Sequence, residues 1–221
     1  MREQPHIEKL QRHLKEHYGQ HISVDGIVGP ETRTVLRQVI YREFERREWN
    51  LDHIRNNKTE LVWLRKDKSY NNSFNDYLVV FDHGEVIHIM KATTTPGDYY
   101  VYNPVTVGGI TGTGSLVEQQ VIGSHVWVEN NDWNTLWLGT PYAKQKKDIT
   151  IYRDRKKDMT YDRDFITVGK SWYGFNMHQM GAGTINWNWS GGCLGTSRAD
   201  WLLVVNRLDD GDIINLNLLE I

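Results

Sequence analysis

YLVVFDHGEVIHIMKAT, residues 77–93, decides how the larger part of this chain is read. Tyr77 to Phe81 is an apolar run rich in strand formers, Asp82-His83-Gly84-Glu85 is a turn, and a second such run begins at Val86. Together they predict a strand, a turn and a second strand. Farther along, VIGSHVWV (121–128), DITIY (148–152) and DIINLNLL (212–219) also read as strands. GGITGTG (108–114) is dense in glycine and reads as a loop. Ser197-Arg198-Ala199-Asp200 caps a helix that carries Trp201, Leu202, Val204, Val205 and Leu208. Strands without regular intervening helices predict a mainly antiparallel β domain with a helix packed on it.

The N-terminal stretch has a different period. Ile7, Leu10, Leu14 and Tyr18 fall on one helical stripe. Asp25-Gly26 is a turn signal, Gly29-Pro30 opens a second helix, and Val35, Leu36, Val39 and Ile40 form its apolar face. The expected class is therefore α+β. A small helical module covers 1–45, a linker and the start of the next domain cover 46–76, and the β domain covers 77–221.

Composition narrows the function. A net charge of −2 leaves no basic footprint for nucleic acid. One cysteine excludes an intramolecular disulfide. MREQPHIEKLQRHLKEHYGQH lacks the apolar run of a secretion signal, and no stretch is long and apolar enough to insert in a membrane. Nine tryptophans leave two readings open, core packing and a wall of indoles for stacking on sugars.

The single cysteine lies in WSGGCLG (189–195), downstream of His178. A thiol is a few per cent ionised at neutral pH, and pairing with an imidazole makes a thiolate–imidazolium nucleophile. The surrounding glycines permit a tight backbone path and leave N–H groups free for an oxyanion, with Gly192 and Cys193 as the candidate donors. Ser190 is expected to orient the histidine or bond the substrate. Trp187, Trp189, Asn176 and His125 are the candidate substrate contacts. From the residues alone, a buried structural cysteine remains equally open. His83 and His88 read as structural or exposed. His13, His17 and His21 read as a solvated face, and Asp154, Asp158 and Asp162 fail as a calcium loop because Lys156 stands where an oxygen is needed. No metal and no cofactor is expected.

Two resemblances bear on this. Leu10-Gln11 and Asp25-Gly26-Ile27-Val28-Gly29-Pro30-Glu31-Thr32 resemble the helical peptidoglycan-binding domain, over about residues 7–41. That implies a wall-binding module in which Asp25, Gly26, Gly29 and Pro30 shape the loop. The hairpin followed by Thr95-Pro96-Gly97, GFNMH (174–178) and WSGGC (189–193) resemble the L,D-transpeptidase catalytic domain. That family has a β-sandwich-like fold and a cysteine nucleophile. With Tyr152-Arg153-Asp154, the combination is similar to a branch found in bacterial and phage proteins. The family pattern continues Cys-x-Arg and places Gly after the histidine, whereas this chain has Cys193-Leu194-Gly195 and Gln179.

The resemblance implies a cysteine enzyme acting on peptidoglycan, with Cys193 and His178 as its catalytic pair. The missing arginine and missing export signal favour hydrolysis. The expectation is an endolysin-like, bacteriolytic cysteine peptidase that cuts an amide of the peptide stem through a thioester. It would be a monomer made in the host cytoplasm and released to the wall through a holin-type pore at phage lysis. The alternatives are an L,D-transpeptidase or L,D-carboxypeptidase, and, in another class, an inactive wall-binding protein.

Overall fold

A computed structural model describes residues 4–66, 73–129, 140–156, 165–181 and 190–221. The chain divides into two compact units, one of residues 1–60 with 79–89 and one of residues 61–78 with 90–221.

The first unit holds α1 (Pro5–Tyr18), α2 (Pro30–Arg46) and α3 (Asp52–Asn56). Proline opens both long helices, where its missing N–H costs nothing. Ile7, Leu10 and Leu14 of α1, with Val35, Leu36, Val39, Ile40 and Phe44 of α2, are buried, so the apolar stripes read from the sequence do face a core. Between these helices the chain is held by Gln11. Its side-chain amide donates to Asp25 Oδ1, Ile27 O and Thr32 Oγ1, and its carbonyl accepts from the N–H groups of Asp25 and Gly26. Asp25 Oδ1 also accepts from Ile27 N–H, and these two contacts hold its carboxyl below the usual range.

The hairpin read at 77–93 is present as β2 (Asp76–Asp82) and β3 (Glu85–Thr93). Its turn residues His83 and Gly84 take φ of 46° and 84°, the two-residue turn whose twist suits a hairpin. Within the first unit, Tyr41 Oη donates to Gly84 O and the Tyr41 ring stacks with Phe81.

The fold is α+β with a large, mostly antiparallel sheet. Eight strands close into a barrel in the order β1-β13-β7-β8-β11-β12-β3-β2. The strands not yet placed are β1 (Glu60–Arg65), β7 (Gln119–Val128), β8 (Tyr142–Gln145), β11 (Met177–Gln179), β12 (Leu194–Thr196) and β13 (Ile213–Glu220). Closure leaves no sheet edge exposed, so the sheet wraps on itself where the resemblance implied sandwich-like packing. Two pairs, β1 with β13 and β11 with β12, are parallel.

A second sheet runs in the order β10-β9-β6, from β6 (Thr113–Leu116), β9 (Ile149–Asp154) and β10 (Ile166–Gly169). A small hairpin pairs β4 (Thr106–Val107) with β5 (Ile110–Thr111). The stretch read as a glycine loop, 108–114, therefore contains a tight turn and the start of β6. Two further helices are α4 (Asp98–Tyr102) and α5 (Arg198–Val205). Ser197 caps α5 by accepting from Asp200 N–H, as its sequence predicts. α5 buries Trp201 and Val204, and leaves Leu202 exposed. Trp63, Trp127 and Trp201 are core residues, whereas Trp172 is exposed.

A buried polar clamp lies beside the barrel. Arg65 donates to Thr94 Oγ1, Thr94 O and Leu116 O and pairs with Glu220. Asp76 accepts from the N–H and hydroxyl of Thr94. Charges this deep persist because each has several partners. The clamp fixes Thr94, from which the chain runs to Thr95-Pro96-Gly97.

Candidate active site

β11 and β12 are neighbours in parallel register, with His178 opposite Gly195. The pairing continues upstream, because Leu194 N–H donates to Asn176 O at 3.0 Å. Cys193 is the residue just before β12, and its thiol bonds Gly174 O and not His178. Motifs separated in the chain are thus brought to one place by a single ladder.

Cys193 is half-buried, and its thiol donates to Gly174 O at 3.3 Å. The sulfur is enclosed deeply enough that burial pushes the thiol up to about 11, although the backbone N–H groups of Asn176 and Cys193 face it and favour the thiolate. His178 is 1% exposed. Its Nδ1–H donates to Gln179 O at 2.6 Å, which makes Nε2 the basic nitrogen. Burial pushes this imidazole down to about 4. Burial thus works against the thiolate–imidazolium pair expected from the sequence. One cause, desolvation, holds both groups neutral.

Ser190 and Gly192 also differ from expectation. Ser190 Oγ accepts from Gly192 N–H at 3.0 Å and donates to Cys193 O at 2.8 Å, while Ser190 O accepts from Gly97 N–H at 2.9 Å. The serine braces the loop that carries Cys193, and the Gln179 carbonyl orients the histidine. Gly192 N–H is committed to Ser190 and Asn176 N–H to Gly174 O, so of the two expected donors only the Cys193 amide still faces the sulfur.

Glycine is needed here for space. Gly192 has φ of 135°, and a Cβ on it would sit 2.5 Å from both Gly114 O and Phe175 Cε1. A Cβ on Gly114 would sit 2.5 Å from Phe175 Cζ. The Phe175 ring is seated between these two glycines, which fixes the strand that delivers His178.

The same segment is held from its other side by residues of β7 and β8. His125 Nε2–H donates to Phe175 O at 2.8 Å, and its Nδ1 accepts from Ser124 Oγ at 2.7 Å. Read from the sequence as lining the cleft, His125 is instead 1% exposed, with its imidazole pushed down to about 4 by burial. Its bond to Phe175 O positions that residue. Asn176 is also largely buried, and its Oδ1 accepts from Gln145 N–H. Gln145 Oε1 accepts from Phe175 N–H and its amide donates to three carbonyls, at Lys147, Gly169 and Lys170. Nothing in the local sequence marked Gln145.

Tyr100 of α4 was likewise unmarked. A Cβ on Gly191 would sit 3.5 Å from the Tyr100 ring. Burial first, and then the nearby Cys193 charge, raise its phenol. Trp187 and Trp189 lie outside the described residues, as do Asp158 and Asp162. Among the described residues no cluster of three metal-ligating side chains occurs.

In the first unit, Gly29 caps α2 and Pro30 starts it, while Asp25 and Gly26 are tied to Gln11. These are scaffold positions. An open groove of about 460 Å³, lined by Val28, Pro30, Arg33, Thr34, Glu85 and Ile87 among others, runs along the loop and the hairpin tip.

No protein-family model matches the sequence, and no curated protein matches it. Among solved structures, the chain is similar to the L,D-transpeptidase (Yku) from Stackebrandtia nassauensis. The identity is 13% and the TM-score 0.33, over 95% of this chain and 75% of that one. It is also similar to the L,D-transpeptidase from Xylanimonas cellulosilytica, at 13% identity and a TM-score of 0.28, over 99% of this chain and 97% of that one. At these values the likeness carries no argument about activity.

Proposed function

We propose that the protein is a peptidoglycan-degrading cysteine peptidase of the endolysin type, cutting an amide bond of the peptide stem through a thioester on Cys193. The observation that supports this reading is the parallel β11–β12 ladder, which runs the strand of His178 alongside the segment that follows Cys193 and its braced glycine loop. The Gln11–Asp25 cage supports the companion reading that the helical unit holds the wall.

Because both groups rest neutral, proton transfer accompanies attack and does not precede it. The thiol proton moves to His178 Nε2 as the sulfur–carbon bond forms. The backbone N–H of Cys193 receives the developing oxyanion. As the carbon–nitrogen bond breaks, His178 returns the proton to the leaving amine. Water then attacks the thioester and gives a proton to His178. The sulfur–carbon bond breaks, the free carboxyl is released, and the sulfur is reprotonated. The Gln179 carbonyl stabilises the imidazolium that forms transiently in each half-reaction.

Mass spectrometry of purified sacculi after digestion tests the proposal. One stem bond should be opened, giving a new amine and a new carboxyl. New cross-links, or glycan fragments with intact stems, would overturn it.

A further inference from the structure

We infer that Arg153 is a substrate-binding residue of this same site, a buried guanidinium reserved for a carboxylate of the peptide that Cys193 attacks. The inference rests on the peptidoglycan reading above.

Arg153, in β9, is 2% exposed. A guanidinium carries five N–H donors and a permanent charge. Here one nitrogen, Nη1, donates to Gly112 O at 2.7 Å, and the Tyr173 ring lies over the group at 5.5 Å. Nε is buried without a hydrogen-bond partner, and no carboxylate pairs with the group among the described residues. Burial works against its charge, and the neighbouring Tyr173 phenol is the opposing influence. Arg65 shows what full compensation looks like in the same unit, with Glu220, two carbonyls and a hydroxyl around it. A buried cation left this incomplete is costly, and an anion brought by a ligand completes it.

The position is next to the chemistry. Arg153 is opposite Gly114 in the β6–β9 register, so the two residues project to one face. That face seats Phe175, and Gly114 O borders Gly192, the residue before the nucleophile. Tyr173 precedes Gly174, whose carbonyl takes the Cys193 thiol. Tyr173 is half-buried beside exposed Trp172, so a carboxylate reaches the guanidinium by taking the place of its ring. The planar fork of an arginine matches a carboxylate through two parallel hydrogen bonds, which an amide cannot reproduce.

Calorimetric titration of full-length Cys193→Ala protein with a synthetic tetrapeptide stem tests this, comparing free carboxylates with the fully amidated peptide. The free form should bind at least tenfold more tightly. Adding Arg153→Met should bring the ratio to about one with affinity for the amidated form unchanged, and Arg153→Lys should recover part of the preference. Equal binding of both peptides by the protein that keeps Arg153 overturns this inference alone, and so does a preference that survives in Arg153→Met. Should Arg153→Met not fold, the comparison of the two peptides on the Arg153 protein decides. No binding of either peptide overturns the peptidoglycan reading and this inference with it.

Discussion

Enclosing Cys193 and His178 moves their pKa values apart, to about 11 and about 4, so a reagent that needs free thiolate meets little of it at neutral pH. Iodoacetamide labelling of the native protein should therefore climb from neutral pH toward about 11. The unfolded chain should label with a midpoint near 8.5. Labelling already at its plateau at pH 7 would show a preformed ion pair. The candidate pair could be picked out in the sequence, because a lone cysteine among glycines and a histidine after Gly-Phe-Asn-Met are recognisable as types. Their burial was not legible, because the segment around them is held by residues far along the chain, His125 and Gln145 on Phe175 and Tyr100 near Cys193, whose proximity no spacing reveals.

Two adjacent glycines of the nucleophile loop make unequal demands. Gly192→Ala places a Cβ against Gly114 O and Phe175 at a strained φ, and should cost about 2–4 kcal/mol in urea melts. Gly191→Ala meets the Tyr100 ring at an ordinary 3.5 Å, and should stay within about 0.5 kcal/mol of wild type. Equal effects would show that the loop is not seated as described. In the helical unit, Gln11→Ala removes five hydrogen bonds from the loop and should destabilise by about 3 kcal/mol, with weaker pelleting on sacculi. An unchanged melt would refute the caging role. Long elements such as the 77–93 hairpin were readable because two apolar runs of strand formers and a clear turn agree. β11 and β12, three residues each, and β4 and β5, two each, are too short to show any period. The stretch 108–114 was misread because its glycines serve a turn and a ring seat inside paired strands.

Across the whole molecule, two buried histidines set the acid limit. His125 and His178 have imidazoles depressed to about 4, so the stability they contribute is present above the unfolded value near 6.5 and is lost as pH falls through 4. The melting temperature should fall across that window, and His125→Gln should flatten the slope; a level profile would contradict the burial argument. The α+β class and the mostly antiparallel sheet followed from strand spacing, but barrel closure did not, since it depends on β13 returning beside β1. The discontinuous first unit escaped the sequence for a similar reason, because the hairpin tip joins α2 through Tyr41. The proposed role of the whole chain turns on its one thiol. Turnover of purified sacculi by folded Cys193→Ala protein measures that role most directly. The variant should melt within about 1 kcal/mol of wild type, since only a half-buried sulfur is lost, and it should release no new amines. Continued release by the folded variant would contradict the account.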